Sequence, residues 1–263
     1  MNSISEKDVI IFDLDGTLTE AKTLIDAEMA RLISKLLDTH QVAVMSGGSH
    51  DQIKKQFVAG LEVADKARVA LERIHLFPTC GSQCYQFEKS EWLERYAERL
   101  TDREKKEIQE GFEKVYKKIG YKHPDKLYGE VVEDRGTQMT FSAVGQKAPI
   151  EEKQKWIDKN YDKREEVAQE LQKLLPEHEV RTAGLTSIDV TRKGINKYYG
   201  VKKVVELLSV PIERMVFVGD MLMKGGNDEP VIETGIDTVA VTGPEDTKDL
   251  LMKWLQSPRE RSS

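Results

Sequence analysis

The stretch that decides the fold is VIIFDLDGT, at residues 9–17. It opens with an all-apolar run, which is typical of a strand buried on both faces of a parallel sheet. Asp13 and Asp15 follow directly, and because side chains alternate along a strand, both carboxylates leave its end on a common side. Ligands bind at the carboxyl ends of the strands in an open α/β sheet. The stretch therefore predicts an α/β protein with two acids at its binding edge.

The two acids need an explanation, because neighbouring carboxylates repel each other unless a cation or a phosphate site shares them. Gly16 permits the tight backbone turn that follows the second acid. An alternative stays open at this point, since an Asp-x-Asp-Gly segment also occurs as an ordinary turn or helix cap. The choice depends on what lies at the ends of the other strands.

The strand and helix patterns recur in both the first and the last parts of the chain. Short apolar runs predict strands, and apolar residues at helical spacing predict helices. The strands are expected at 42–45, 215–218 and 238–241, and the helices at 25–38, 198–208 and 245–255. This alternation predicts a Rossmann-like parallel sheet with right-handed crossovers.

The middle of the chain has a different pattern, which predicts a small α+β module. Its elements are expected to be a charged helix at 91–119, a β-hairpin at 129–144, a second helix at 151–175 and a strand at 179–190. The hairpin is expected to turn at Gly136, where glycine supplies the positive φ that such turns need.

The domain prediction follows from these two patterns. Residues 1–84 and 191–255 are expected to form the core domain, and residues 85–190 an inserted α+β cap domain. A disordered tail is predicted at 256–263.

Polar groups also follow the other strands of the predicted core. Ser46 and Gly47 come after the second strand, where a hydroxyl and backbone N–H groups can hold phosphate oxygens. Lys197 opens a helix at the same edge, although a single lysine there is also an ordinary surface charge. Asp220 ends a third strand, and the next loop carries Asn227-Asp228, so hard-cation ligands are expected here.

The order of these groups resembles the haloacid dehalogenase superfamily of phosphotransferases, in which all four motifs occur. The resemblance implies that Asp13 attacks phosphorus to form an aspartyl phosphate and that Asp15 acts as general acid and base. Ser46, Gly47 and Lys197 would hold the phosphoryl oxygens. A Mg²⁺ cofactor is implied, with ligands drawn from Asp13, the backbone carbonyl of Asp15, Asp220, Asn227 and Asp228.

A finer resemblance covers nearly the whole chain and concerns the C2-capped branch of that superfamily. The segments FDLDGTLTEAK at 12–22, MKGGNDEP at 223–230 and TGPEDT at 242–247 look like those of eukaryotic-type phosphomannomutases. The resemblance implies a sugar-phosphate substrate and a cap that closes over it. It also implies a possible homodimer through the cap.

The cap residues bear on whether the enzyme is a phosphatase or a mutase. A mutase must bind a sugar bisphosphate at both ends, and the mutases do so with cap arginines. Arg135 matches one of these, but Tyr128 and Gln146 stand where the family pattern has two more. Asp189 matches an acid that would contact sugar hydroxyls. Because each charge-assisted contact contributes about 1.5–3 kcal/mol, the sequence favours a sugar-phosphate phosphatase, with a phosphomannomutase-type mutase as the alternative.

A minor alternative is a protein that binds sugar phosphates without catalysis. Such a protein would be expected to have lost one of the two motif acids, and both Asp13 and Asp15 are present. The sequence therefore predicts an enzyme.

Composition excludes several other classes. The chain has 263 residues with 40 basic and 46 acidic side chains, so a net charge of −6 gives no reason to expect nucleic acid or a membrane surface as partner. No apolar stretch reaches the roughly 20 residues of a spanning helix, and the first residues lack the pattern of a secretory signal. Two cysteines, Cys80 and Cys84, form no disulfide framework, so a cytoplasmic protein is expected.

Overall fold

The structure, a computed structural model, describes residues 4–65 and 70–256. These residues divide into two compact units. The first unit contains the described residues up to Tyr96 and from Asn196 onward, and the second contains Ala97–Ile195. Each unit has its own sheet and its own hydrophobic core.

The first unit is an α/β domain. Its strands are β1 (Val9–Phe12), β2 (Gln41–Met45), β3 (Ile74–Phe77), β4 (Gln83–Glu88), β5 (Glu91–Ala97, whose last residue lies past the division), β10 (Met215–Gly219) and β11 (Asp237–Ala240). Its helices are α1 (Ala27–Leu36), α2 (His50–Ile53), α3 (Ala59–Asp65), α6 (Lys197–Leu208), α7 (Glu229–Ile232) and α8 (Pro244–Gln256). A π-helical turn, Lys54–Val58, joins α2 to α3, and short 3₁₀ turns lie at Ile4–Glu6, Leu71–Arg73, Thr79–Gly81 and Ile212–Arg214.

Within the described residues, the sheet of the first unit has seven strands in the order β11-β10-β1-β2-β3-β4-β5. The strands from β11 to β3 are parallel, and β4 runs antiparallel to β3. Ile10 and Phe12 of β1 pack in the core that includes α1 and α8, whereas Val9 and Ile11 pack in the core that includes α6 and α7. Because both faces are covered by helices, β1 is apolar throughout, and the predicted Rossmann-like α/β class is confirmed.

The second unit is an α+β module. Its strands are β6 (Val132–Asp134), β7 (Met139–Ser142), β8 (His178–Ala183) and β9 (Ser187–Arg192), which form an antiparallel sheet in the order β6-β7-β9-β8. Its helices are α4 (Asp102–Ile119) and α5 (Ile150–Leu174). Phe112 of α4 stacks on Phe141 of β7 with ring centroids 3.4 Å apart, so the helices cover one face of this sheet.

The segment 91–97 differs from the prediction of a helix. It forms strand β5, which pairs with β4 across a two-residue turn at Lys89 and Ser90. Both turn residues have positive φ, 52° and 68°, which glycine or asparagine usually supplies in such turns. Trp92 and Tyr96 are four residues apart, and this spacing imitated a helix.

Two further elements differ from their predictions. The segment expected to be one strand at 179–190 is a hairpin of β8 and β9, with Gly184 at φ 49° between them. Helix α5 is interrupted at Asn160, whose φ of −132° leaves the helical range and whose side-chain amide donates to the carbonyl of Trp156.

The division of the chain also lies elsewhere than at the expected residues 84/85 and 190/191. Strands β4 and β5 extend the sheet of the first unit, so the division follows Tyr96 instead. At the other end β9 continues to Arg192, and the division follows Ile195. Apart from Gln256, which ends α8, the predicted tail at 256–263 lies outside the described residues.

Candidate active site

The predicted polar groups of the first unit follow three adjacent strands. Strand β1 is paired in parallel with β2 on one side and with β10 on the other. Asp13 follows β1, Ser46 follows β2 and Asp220 follows β10, so all three are at the same edge of the sheet. The backbone of Asp13 is held there, since its N–H donates to a carbonyl of β10 at 2.9 Å.

A buried ion cluster lies at this edge. The ammonium of Lys197, which has no exposed surface, lies 2.5 Å from Oδ1 of Asp13 and also pairs with Oδ1 of Asp228. The other oxygen of Asp228 accepts from the backbone N–H of Met221 at 3.1 Å. The predicted lysine is therefore a buried partner of the acids and not a surface charge.

A close contact between α6 and the 3₁₀ turn Thr79–Gly81, which follows β3, positions Lys197. The helix begins at this residue, and Oδ1 of Asn196 caps it by accepting from the N–H of Tyr199 at 3.2 Å. A Cβ built on Gly81 would lie 2.4 Å from the Cα of Gly200, so only glycine lets the two backbones approach this closely. The approach brings the first turn of α6 to the acids.

The carboxylates of Asp13, Asp220 and Asp228 form a cluster that could hold a metal ion. One oxygen from each lies within 4.8 Å of the others. Three acids against the single ammonium of Lys197 leave the cluster with excess negative charge, and an all-oxygen donor set suits a hard cation. Asn227 is exposed, whereas Asp228 is buried, so of these two candidate ligands Asp228 belongs to the cluster.

The turn after β1 is shaped by this cluster. Gly16 has φ 89°, and a Cβ on it would lie 2.5 Å from Oδ2 of Asp220. The hydroxyl of Thr17, which is fully buried, donates to Oδ1 of Asp220 at 3.2 Å. The sequence DLDGT thus supplies a glycine for close approach and a hydroxyl that orients the third acid.

Burial and mutual repulsion perturb the acids. Burial, with further contributions from Asp228 and Asp220, raises the pKa of Asp13 to about 8, although Lys197 opposes the shift. Burial also raises the pKa of Asp220, followed by the charge of Asp228. Burial alone would lower the pKa of Lys197, but its two carboxylate partners outweigh that influence and raise it. An additional positive charge at the cluster would favour the ionised form of Asp13.

Asp15 is not one of the three acids of the cluster and has its own partners. Its Oδ1 accepts from the backbone N–H of Lys22 at 2.7 Å and from Nε2 of Gln56 at 2.8 Å. The residue is half-buried, in contrast to Asp13. The sheet edge therefore presents two carboxyl groups in different environments, one paired with an ammonium and one held by neutral donors.

The loop after β2 contains the two residues predicted to bind phosphate, Ser46 and Gly47. Ser46 is 2% exposed, and its Oγ accepts from the N–H of Gly48 at 3.0 Å. Gly47 is half-buried between them. The backbone N–H of Cys80 donates to the carbonyl of Ser46 at 2.9 Å, which ties this loop to the turn after β3.

The three predicted substrate residues of the cap all lie in the second unit. The guanidinium of Arg135 binds Glu133, with Nη2 at 2.7 Å and Nε at 3.0 Å from one carboxylate oxygen. Asp189 accepts from the hydroxyl of Thr140 at 2.8 Å on the neighbouring strand. The side-chain amide of Gln146 donates to two backbone carbonyls at 3.1 and 3.3 Å.

Sequence reasoning missed two residues of the site. Thr17 lies within the deciding stretch, and a hydroxyl two residues after a motif acid was an available signal. Gln56 lies in a charged helical segment, and it reaches Asp15 from the π-helical turn between α2 and α3. No sequence pattern used above detects such a turn.

Comparison with known proteins agrees with this geometry. The family model described as haloacid dehalogenase-like hydrolase matches residues 10–241. The chain belongs to this family. The chain is 25% identical over 250 residues to a phosphomannomutase of Encephalitozoon cuniculi, covering 92% of this chain and 91% of the relative. It is also 25% identical over 247 residues to human phosphomannomutase 1, covering 92% and 90% of the two chains.

Solved structures show the same fold. An IMP-bound, truncated IMP-nucleotidase of Plasmodium falciparum matches the chain with a TM-score of 0.69 at 18% identity, over 95% of this chain and 68% of that one. A trehalose-6-phosphate phosphatase of Aspergillus fumigatus matches with a TM-score of 0.56 at 17% identity, over 96% and 94%. Among the described residues of the chain, none of the helices combines the length and apolar character that crossing a bilayer requires.

Proposed function

We propose that this protein is a phosphatase that hydrolyses a sugar phosphate through an aspartyl-phosphate intermediate. The observation that carries the proposal is the contact of Asp13 with Lys197 at the edge of the sheet, where a buried carboxylate and an ammonium meet. Such a pair suits a nucleophile that must attack a negatively charged phosphorus centre, because the ammonium offsets the charge repulsion.

Each predicted catalytic or phosphate-binding residue of the first unit has a part in the proposed reaction. An oxygen of Asp13 bonds to phosphorus while the ester P–O bond breaks, and the leaving oxygen takes a proton from Asp15. Water then gives its proton to Asp15 and attacks phosphorus, and the bond to Asp13 breaks to release phosphate. Lys197, the hydroxyl of Ser46 and the N–H of Gly47 hold the phosphoryl oxygens during both steps.

We propose Mg²⁺ as the cofactor, held by Asp13, Asp220 and Asp228, with the backbone carbonyl of Asp15 as a further ligand. The donor set supports this assignment, since three clustered carboxylates suit a hard divalent cation. When bound, the cation would neutralise phosphoryl charge and favour the ionised form of Asp13. Asn227, on the surface of the same loop, is proposed only as a ligand through water.

Two observations in the second unit support a phosphatase over a mutase. A mutase needs free positive charge for the non-reacting phosphate, and the charge of Arg135 is neutralised by Glu133. Gln146 stands where an arginine is expected, and its amide is engaged by backbone carbonyls. We propose that Arg135 and Asp189 contact the sugar phosphate and that Gln146 mainly supports the hairpin.

The second candidate function is a hexose phosphate mutase. It is favoured by the similarity to phosphomannomutases, which extends over about nine-tenths of both chains. In a mutase the intermediate would transfer its phosphoryl group to a second sugar hydroxyl and not to water.

One assay separates the two functions. Purified protein is incubated with mannose-1-phosphate, Mg²⁺ and a hexose 1,6-bisphosphate, and the products are followed by ³¹P NMR. We expect inorganic phosphate to appear faster than mannose-6-phosphate. Faster formation of mannose-6-phosphate would establish the mutase instead, and an Asp13→Asn sample controls for contaminating phosphatases.

The cofactor proposal has its own test. Activity is expected to disappear in excess EDTA and to return when Mg²⁺ is added above the chelator concentration. Full activity in EDTA would contradict the assignment. We further propose a cytoplasmic location. We also propose a homodimer formed through the second unit, and sedimentation of the full chain and of a surface variant of that unit would test the homodimer.

A further inference from the structure

Gln56 is a buried side chain that contacts the proposed acid–base residue. It is 4% exposed, and its Nε2 lies 2.8 Å from Oδ1 of Asp15. The same nitrogen lies 3.3 Å from the carbonyl of Thr23. One amide therefore links the carboxyl group to the loop that follows it in the sequence.

The π-helical turn Lys54–Val58 places Gln56 at this position. A π turn inserts one additional residue into a helix, which changes the direction of the side chains, and such turns are frequent at functional sites. The backbone of Gln56 is fixed as well, since its carbonyl accepts from the N–H of Ile25 at 2.8 Å. A Cβ on Gly60 would lie 2.4 Å from the side chain of Ile25, so α3 packs tightly against the same loop.

The two donors to Asp15 bind the same oxygen. Gln56 and the backbone N–H of Lys22 both approach Oδ1, at 2.8 and 2.7 Å. Two N–H donors occupy the acceptor directions of that oxygen, so a proton carried by Asp15 is placed on Oδ2. The carboxyl group is thereby held in one orientation, in which Oδ1 accepts the two hydrogen bonds and Oδ2 can carry the proton.

We propose that Gln56 is a positioning residue for Asp15, which fixes the carboxyl group so that Oδ2 delivers the proton to the leaving oxygen. The inference rests on the proposed phosphatase function, in which the P–O bond breaks as the leaving oxygen takes that proton. Water later returns a proton to the same Oδ2 as it attacks the aspartyl phosphate. Gln56 itself forms and breaks no covalent bond.

The proposal predicts a dependence on the leaving group. A sugar hydroxyl is a poor leaving group that needs a proton, and a well-placed general acid contributes about 10²–10⁴-fold to such a step. The p-nitrophenolate ion leaves readily without a proton. Loss of positioning is therefore expected to slow sugar-phosphate hydrolysis by about 10–100-fold, as part of that contribution, and p-nitrophenyl phosphate hydrolysis by less than about threefold.

The test compares Gln56→Met and Gln56→Glu with the wild type on a hexose phosphate and on p-nitrophenyl phosphate. Methionine has a side chain of similar length to glutamine but no amide. Glutamate keeps the shape of the glutamine side chain and lacks its N–H donor, so Gln56→Glu replaces Gln56→Met in the test if the methionine variant does not fold. Lys55→Met, an exposed neighbour on the same π turn, is the matched control and is expected to leave both activities unchanged.

Equal losses on the two substrates, or no loss on either, would overturn the proposal, because a merely structural role does not distinguish leaving groups. A wild type that hydrolyses neither substrate would instead refute the proposed function, on which the inference depends. The two failures are thus distinguishable in one experiment.

Discussion

Replacing Lys197 with methionine should destabilise the protein strongly. The ammonium has no exposed surface, and the side chains of its partners Asp13 and Asp228 are 5% and 0% exposed. With the half-buried Asp220 these acids would form a cluster of three carboxylates with no cation. Breaking a buried pair by removing one partner costs about 3–5 kcal/mol, which lowers the folding equilibrium constant about 10²–10⁴-fold.

The deficit should depend on pH in a defined direction. The pKa of Asp13 is raised from 3.8 to about 8, so between these values the folded protein binds a proton that the unfolded chain has lost. Stability of the metal-free protein therefore falls as pH rises through this window. Removing Lys197 removes the group that lowers this pKa, so the variant's deficit should be largest near pH 8.5 and smallest near pH 4.

The assay is urea unfolding of metal-free wild type and variant, followed by tryptophan fluorescence and far-UV circular dichroism at both pH values. Asp228→Asn and the double variant Lys197→Met/Asp228→Asn complete a thermodynamic cycle. Because the two residues touch, the double variant should be more stable than the sum of the single losses predicts. A deficit of less than about 1 kcal/mol at pH 8.5, the lower end for an unsatisfied buried group, would refute the reasoning.

Three further predictions concern other parts of the molecule. Asp13→Asn should abolish phosphate-ester turnover while far-UV circular dichroism stays unchanged, since covalent catalysis needs the carboxylate of Asp13. Residual activity above about a tenth of wild type would exclude Asp13 as the nucleophile. Gly81→Ala should lower the urea midpoint more than Gly120→Ala, because both glycines have positive φ but, of the two, only a Cβ at Gly81 would meet backbone atoms. Equal losses of stability in the two variants would contradict the close approach of Gly81 to α6. Hydrogen bonding to Arg192 lowers the pKa of Glu104 to about 2, so Arg192→Gln should raise that pKa toward 4.5 in an NMR titration. The stability that this pair contributes is present above pH 4.5 and is lost as pH falls toward 2.

Much of the first unit could be predicted from local patterns. The apolar runs at β1, β2 and β10 are short and buried on both faces, so the sequence pattern and the sheet layer agree. The polar residues that follow these three strands lie at one edge of the sheet because the strands are parallel. Asp13, Lys197 and Asp228 could therefore be placed together before any coordinates were known.

The remaining features depend on backbone geometry that residue types do not encode. The turn between β4 and β5 uses Lys89 and Ser90 at positive φ, where the pattern expects glycine or asparagine. Gln56 reaches Asp15 from a π turn, which the helical spacing of apolar residues does not indicate. Arg135 pairs with Glu133, and the spacing of charged residues in the sequence does not determine which of them form ion pairs.

The position of β1 in the middle of its sheet has a consequence for the order of folding. One of its neighbours, β2, follows soon in the chain, but the other, β10, is synthesised only after the whole second unit. The contact between Asp13 and Lys197 likewise joins residues 184 positions apart. Such distant pairings form slowly, and until they form a nascent chain exposes one edge of its most apolar strand. Fragments that end before β10 should therefore aggregate, and they lack Asp220 and Asp228 of the acidic cluster altogether.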